Sequence, residues 1–274
     1  MSLGIFCAVL FAALLHASWN AIVKLGGDKL LTTILVTGWA AVLSAIALPW
    51  LPAPATHSWP WLAASAVLQT GYYVLVARAY HSADMSLSYP LMRGCAPLLV
   101  AIAGTWLFNE HLPAAAWAGI ALISGGILCM AGSGKGGNIR LPLGIALVIA
   151  TYTLVDAQGA RLSGNAVSYT LWLFLLSGLP LPLWALFARR AQLGSYLRGN
   201  WQRGLVGGIG TTASYAIALW AMTLAPVAVI AALRETSILF ALLISALLLK
   251  EHISRRRLLA AGLIVAGVML LRLA

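Results

Sequence analysis

The sequence predicts an all-α integral membrane protein with ten transmembrane helices arranged as two inverted five-helix repeats. Three observations lead to this fold class: the composition, the length of the apolar runs, and a repeat at an offset of 141 residues. Of the 274 residues, 62% are hydrophobic and only 8% are charged, which is too apolar for the surface of a soluble domain. Because the runs of Leu, Ala, Val and Ile are continuous rather than alternating, they favour helices over a β-barrel.

Ten apolar segments, most of them close to the roughly 20 residues that cross a bilayer, are separated by polar residues or by Pro and Gly. The first has neither the basic start nor the cleavage site of a secretory signal, so it is predicted to be retained. The stretch "GSGKGGNIRLP" lacks the spacing of a phosphate-binding loop and is predicted to be a linker. We number the segments 1 to 10, and they cover residues 3–24, 30–50, 58–80, 85–107, 113–132, 141–161, 166–188, 202–223, 226–249 and 256–273.

The two halves of the chain repeat each other. We place the first five-helix repeat at 1–132, the linker at 133–140 and the second repeat at 141–274. Because five helices are an odd number, the second half begins on the opposite side of the membrane, and the repeat is predicted to be inverted. The residues that match at the offset of 141 are Arg93 and Arg234, Glu110 and Glu251, His111 and His252, and Gly126 and Gly267.

The basic residues predict the orientation of the segments. Thirteen Lys and Arg residues fall in the odd-numbered loops, whereas the even-numbered loops and both ends of the chain hold only Arg161 and Arg272. Because cytoplasmic loops carry the excess of Lys and Arg, the odd-numbered loops are predicted to be cytoplasmic and both termini to lie outside. Membrane topology thereby explains the net charge of +11, and no nucleic-acid partner is expected.

Segment 1 ends in "WNAIVK", and the fourth segment of each half closes with an acidic residue before a glycine-rich fifth: "NEHLPAAAWAGIALISGG" and "KEHISRRRLLAAGLIVAG". With its two five-helix halves, the chain resembles the ten-helix, EamA-like family of the drug/metabolite transporter superfamily over essentially its whole length. The resemblance implies a secondary transporter with a central cavity, but not a particular solute. Family members are often drawn with cytoplasmic termini, whereas the charges of this chain predict the opposite.

A few ionisable side chains lie well inside predicted segments, where a charge is unfavourable unless it faces a cavity or a partner. Asp156 and Glu235 break the repeat, since Glu235 aligns with Gly94, and we interpret them as candidates for carrying a coupling proton. His16 is a third candidate, although a neutral histidine bonded across helices is the simpler interpretation. The alternative for the carboxylates is a static ion pair, with Arg93 and Arg234 as the cations; the arginines could also bond helix-end carbonyls.

The same segments carry aromatic and amide side chains that suit a solvated pocket. His16 and Asn20 lie one helical turn apart, so segment 1 presents a polar stripe with Trp19 beside it. Several buried tyrosines in other segments each require a partner for the hydroxyl group. The candidate substrate-binding residues are His16, Trp19, Asn20, Tyr72, Tyr73, Tyr89, Arg93, Tyr152, Asp156, Tyr215, Arg234 and Glu235.

The paired Glu-His motifs follow the fourth segment of each half. Glu110 and Glu251 stand just before the next helix, whose N-terminal amides favour an anion, so a structural cap is predicted. The alternative is a gate in which each carboxylate pairs with basic residues on its own membrane face. A histidine adjacent to each Glu makes a poor metal site without a third ligand, and no metal or other cofactor is expected.

These features lead to a hypothesis about function. We expect a proton-coupled exporter or exchanger of a small amphipathic or zwitterionic metabolite such as an amino acid, working by alternating access. A transporter of quaternary amines or other organic cations, and a lipid head-group translocase, remain alternatives. An enzyme is not expected, because no nucleophile, metal triad or catalytic carboxylate pair stands out. The expected setting is the bacterial inner membrane, with the protein as a monomer.

Overall fold

The computed structural model describes residues 1–82, 85–131, 139–248, 250 and 253–274. Within these ranges the regular secondary structure is entirely helical, which confirms the all-α prediction. Short 3₁₀ turns at Leu48–Trp50 and Thr56–Ser58 lie between the second and third α-helices. The α-helices are α1 (Leu3–Leu25), α2 (Lys29–Ala47), α3 (Trp59–Ser82), α4 (Met85–Leu107), α5 (Ala114–Cys129), α6 (Arg140–Leu162), α7 (Ala166–Gly178), α8 (Pro180–Ala188), α9 (Arg190–Leu224), α10 (Val227–Arg234), α11 (Ser237–Leu248) and α12 (Arg255–Leu273).

Many of these helices are suited to cross a membrane. In the described ranges, seven helical stretches are long and apolar enough, and α5 is a shorter apolar helix. The helices α3 and α12, which correspond to segments 3 and 10, are not among the seven; α12 opens with three arginines. The chain is a multi-pass integral membrane protein. The seven stretches are Leu3–Leu25, Lys29–Trp50, Ser86–Leu107, Arg140–Leu162, Ala166–Ala188, Arg190–Leu224 and Val227–Leu247.

Segments 7 and 9 are each predicted as one helix, and in the structure each consists of two. Segment 7 divides into α7 and α8 at Leu179, because Pro180 has no N–H to continue the helical ladder. Segment 9 divides into α10 and α11 at Glu235 and Thr236. There the amides of Glu235 and Thr236 bond carbonyls three residues earlier, so the last turn of α10 tightens and the helix stops.

Segment 8 begins much earlier than predicted. The polar stretch 189–201 reads as a loop in the sequence, but α9 starts at Arg190 and runs unbroken to Leu224. Leu193 is buried, and the Tyr196 hydroxyl lies 2.7 Å from Thr32 Oγ1 at the start of α2. These contacts with a distant part of the chain stabilise turns whose own residues are too polar to indicate a membrane helix.

The helices α5 and α12 pack backbone against backbone through glycines. A Cβ atom on Gly126 would lie 2.9 Å from the carbonyl oxygen of Ala260, and one on Gly267 would lie 2.6 Å from that of Gly119. At the offset of 141, Gly126 corresponds to Gly267 and Gly119 to Ala260, so the two contacts are reciprocal. A second pair of contacts is reciprocal as well. Helix α1 (segment 1) packs on α9 (segment 8), and their counterparts in the repeat, α6 (segment 6) and α3 (segment 3), also pack on each other.

Candidate substrate site

The centre of the bundle holds a buried ion pair between α4 and the end of α10. Arg93 Nε lies 2.9 Å from Glu235 Oε2, and the two side chains are only 11% and 7% exposed. Although the atoms are this close, neither makes an aligned hydrogen bond within the described part of the chain. The pair is therefore held by charge and proximity.

The position of Glu235 follows from the break between α10 and α11. Arg234 is the last residue of α10, where a cation suits the C-terminal end of the helix dipole. Glu235 caps this helix, and the Thr236 hydroxyl bonds the Leu233 carbonyl at 2.6 Å. A discontinuous helix in a membrane protein is tolerated where its backbone is buried in protein or lines a cavity. The break thus brings two adjacent charged side chains to the interior.

A small cavity of about 20 Å³ lies beside the ion pair. Its volume is enough for about one water molecule, so the side chains must move apart before a larger solute can bind. Three elements contribute to its wall: the middle of α4, the middle of α6, and the end of α10 with Glu235. The lining residues are Arg93, Ala96, Pro97, Val100, Ile149, Tyr152, Thr153, Ala231, Arg234 and Glu235.

The two arginines of the repeat have different surroundings. Arg93 is neutralised by Glu235, whereas Arg234 has no carboxylate within 4 Å among the residues that the structure describes. Its guanidinium carbon lies 4.9 Å from the centre of the Tyr215 ring, a distance typical of a cation–π contact. Arg234 is half-buried on the cavity wall, so its charge is directed toward the interior.

Asp156 lies deeper, at a junction of four helices. It is fully buried and accepts hydrogen bonds from Gln69 Nε2 of α3 at 3.0 Å and from Tyr169 Oη of α7 at 3.3 Å. Tyr215 Oη of α9 donates a third, shorter hydrogen bond. Asp156 is not among the residues that line the cavity. Its hydrogen-bonding partners are neutral, so within the described ranges Asp156 has no ion-pair partner like that of Glu235.

Sequence reasoning missed Gln69 and Tyr169. The signal for Gln69 was available, because an amide in the apolar run of segment 3 is as unusual as a charge. Tyr169 gave no such signal near the start of segment 7. The Tyr169 hydroxyl lies directly against Gly159. A Cβ atom at position 159 would collide with this hydroxyl, so only glycine leaves room for it.

Aromatic rings surround the side of the cavity formed by α6. The Tyr152 ring lies on the cavity wall and packs edge-on against Tyr72, with ring centres 5.7 Å apart. Tyr73 adjoins Tyr72, at 5.8 Å between ring centres. Tyr89 is more peripheral, with 40% of its surface exposed, although it remains within electrostatic range of Arg93. Several of the predicted aromatic residues therefore cluster, but among them only Tyr152 lines the cavity.

Of the predicted polar residues on α1, His16 lies near the arginines of the cavity, whereas Asn20 bonds its own helix. His16 lies within electrostatic range of Arg93 and Arg234, and its ring packs edge-on against Trp19 with centres 5.3 Å apart. The Asn20 amide instead bonds the His16 carbonyl of its own helix at 2.8 Å. Trp19 Nε1 is buried and has no hydrogen-bond partner in the described part of the protein. This indole is an available donor near the centre of the bundle.

Glu110 caps a helix, but not the one expected. Its carboxylate accepts hydrogen bonds from the amide of Val227, at 3.0 and 3.1 Å, at the start of α10 in the second half. The prediction that it serves the next helix is wrong, because α5 begins after Pro113 without a side-chain cap. Arg161 Nη2 binds the same carboxylate at 2.7 Å and Arg161 Nε bonds the Met222 carbonyl. The matching prediction for Glu251 lies outside the described residues.

Comparisons with known proteins agree with this architecture. The sequence model of the EamA-like transporter family matches residues 2–132 and again residues 139–273. One solved crystal structure of a protein superposes with a TM-score of 0.76 at 18% sequence identity and covers 98% of each chain, so the two share a fold. Among the curated proteins, none matches this chain.

Proposed function

The chain belongs to the EamA-like transporter family, and from this premise we propose that it is a secondary active transporter of a small amphipathic or zwitterionic metabolite, such as an amino acid, coupled to protons. Family membership supports a membrane transporter of small molecules, with a small-molecule substrate and membrane lipids as its partners. The protein works as a monomer in a bacterial inner membrane in this proposal. It uses no cofactor and is not an enzyme.

The observation that carries the proposal is the ion pair of Arg93 and Glu235. It joins the fourth segment of one half to the broken ninth segment of the other, beside a small polar cavity. Transporters built from repeats place their sites at such an interface, often at discontinuous helices. The pair therefore lies where the two halves would move against each other.

Alternating access requires two halves that move against each other. We propose ten spans in two inverted repeats, 1–132 and 141–274, joined by the linker at 133–140. The reciprocal contacts of Gly126 and Gly267 support this arrangement, since a two-fold axis between α5 and α12 produces such a match. The helix pairs α1 with α9 and α3 with α6 support the same axis.

The proposed gate on one face is the carboxylate of Glu110. It links the loop after α4 to Arg161 at the end of α6 and to the start of α10, so it bridges both halves. The lysine and arginine distribution assigns this face to the outside. We propose that this bridge holds the outside face shut in this conformation. Glu251 is proposed to serve the opposite face by the repeat.

Proton coupling is proposed to use Glu235 and Asp156, with His16 beside them. Glu235 shares its charge with Arg93, and a proton on Glu235 would release that arginine. Asp156 accepts hydrogen bonds from neutral donors, so protonation of its carboxylate would directly change the hydrogen bond from the Tyr215 hydroxyl. His16 lies within electrostatic range of both arginines, and its charge would oppose theirs.

The test is transport by purified protein in liposomes under an imposed pH gradient. The panel contains amino acids, amines, purines and lipid head-group analogues, with empty liposomes as the control. The expected result is solute-dependent proton flux for at least one amphipathic or zwitterionic metabolite. Flux with organic cations alone, or lipid translocation alone, would replace the proposal with that alternative. The absence of any solute-dependent proton flux would contradict it.

A further inference from the structure

We infer that Arg234, and not Arg93, binds the substrate, and that the group it binds is an anion such as a carboxylate. This inference deepens the proposed function, on which it rests, by selecting one substrate class among the amphipathic or zwitterionic metabolites. It favours an organic anion with an apolar body over a zwitterion or a cation. The charged groups of the cavity differ in whether each already has a counterion within 4 Å.

Arg93 is occupied. Glu235 lies 2.9 Å from its guanidinium, and both side chains are about nine-tenths buried. Removing one member of a buried ion pair strands the other, which is strongly unfavourable. A substrate carboxylate that bound Arg93 would have to displace Glu235 and leave this acidic side chain without its cation. Arg93 is therefore a poor first contact for an anion.

Arg234 is not occupied in the same way. It lies on the wall of the same cavity, and the structure describes no carboxylate within 4 Å of it. The Tyr215 ring supports one face of the guanidinium at 4.9 Å, which holds the planar group in place. A guanidinium presents paired N–H donors that match a carboxylate, and an ordered one loses less entropy on binding. The donors of Arg234 therefore suit an anion.

No described carboxylate is available for a cationic group in the cavity. Glu235 already faces Arg93, and Asp156 lies outside the cavity wall with three hydrogen bonds from Gln69, Tyr169 and Tyr215. A substrate ammonium group would have to break one of these arrangements. The geometry thus does not support Asp156 or Glu235 as the partner of a substrate ammonium group. The surplus charge facing the cavity is positive.

The experiment measures binding separately from transport. Purified protein is heated in detergent with butyrate, hexanoate, and the amide and amine of equal chain length, at constant ionic strength. A ligand that binds only the folded state raises the unfolding temperature, and at a fixed concentration the rise grows with the logarithm of its affinity. The variants are Arg234→Gln and Arg234→Lys, and the control is Arg203→Gln, which removes an exposed arginine bonded to Asn200.

The carboxylates are expected to stabilise the unmodified protein and Arg203→Gln, whereas the amides and amines do not. Arg234→Gln is expected to weaken carboxylate binding by at least about tenfold. Arg234→Lys keeps the charge but loses the paired donors, so an intermediate affinity is expected, and this variant decides the matter if Arg234→Gln does not fold. Equal stabilisation by amides or amines, no stabilisation by any carboxylate, or unchanged binding in both Arg234 variants overturns the inference.

The result is distinguishable from failure of the proposed function. Carboxylate binding that depends on Arg234, without proton-linked flux in liposomes, would contradict proton-coupled transport but support the anion site. Proton-linked transport of a cation or zwitterion that is unaffected in Arg234→Gln would support transport and contradict the anion site.

Discussion

The backbone of Gly267 lies so close to the carbonyl oxygen of Gly119 that a Cβ atom on Gly267 would approach this oxygen to 2.6 Å. The same Cβ atom would lie 3.0 Å from the amide nitrogen of Ile123. Both contacts involve backbone atoms, which cannot rotate away as a side chain can. The distance between α5 and α12 therefore depends on this glycine.

Gly267→Ala is expected to destabilise the protein. Forcing α5 and α12 apart should cost about 1–3 kcal/mol, as overpacking does in cores. The control on the same helix is Gly262→Ala, where a Cβ atom meets nothing within 4 Å and the change should stay within about 0.5 kcal/mol. The measurement is unfolding of the purified protein in detergent. Equal stability of the two variants would show that the helices are not closely packed at this point.

Breaking the ion pair from one side should be worse than removing it from both. Arg93→Gln leaves Glu235 buried without its cation, and a loss of roughly 3–5 kcal/mol is expected. Glu235→Gln likewise leaves Arg93 buried without the carboxylate that neutralises it. The double variant removes both charges and should recover part of the stability lost in each single variant. A double-mutant cycle on unfolding free energies measures the coupling, and strictly additive losses would contradict a direct interaction.

Glu110→Gln should open the protein on the face of Glu110. The amide loses the charge that binds Arg161 and accepts less strongly from the Val227 amide. In a background without Cys7, Cys95 and Cys129, the reporter is Ala231→Cys on the cavity wall. Its labelling by a membrane-impermeant maleimide added outside is expected to increase by on the order of tenfold.

Arg203→Gln serves as the control for this labelling, because it removes a charge at the opposite end of the bundle without contacting Glu110. Its labelling rate should equal that of the cysteine reporter alone. Labelling of the Glu110→Gln protein at that same basal rate would mean that Glu110 caps α10 without acting as a gate.

Asp156→Asn should separate proton coupling from substrate movement. The side chain keeps its shape but cannot exchange a proton, so uptake driven by a pH gradient is expected to fail while substrate counterflow continues. Tyr169→Phe is the control, since it removes one donor to Asp156, costs roughly 1–3 kcal/mol in stability and retains the carboxylate. Gradient-driven uptake that survives in Asp156→Asn would assign coupling elsewhere, with Glu235 next to be tested.

Several features of the protein follow from its amino-acid sequence alone. The apolar composition predicts a helical membrane protein, and the spacing of the Glu-His motifs reveals the repeat on which the family resemblance rests. The helix boundaries follow the apolar runs closely except where segments 7 and 9 break and segment 8 is extended. The two breaks share a cause, since a run of apolar residues does not show where a turn interrupts it. Segment 8 differs, because its added turns are too polar to indicate a membrane helix.

The partners of the charged residues do not follow from the sequence. The sequence treats Arg93 and Arg234 as equivalent, but only the packing of α4 on α10 decides that Arg93 receives Glu235. Likewise the three donors to Asp156 come from α3, α7 and α9, which lie far apart in the chain. Glu110 was expected to serve its neighbouring helix and instead reaches α10.

The sequence by itself determined that the chain is helical, lies in a membrane and repeats, because hydrophobicity, segment length and internal similarity are properties of the chain taken one stretch at a time. Only the tertiary structure decided which buried charge is compensated and which is available. That outcome depends on distances of a few ångströms between helices, since the energy of a charge in a medium of low polarity is determined by its nearest partners.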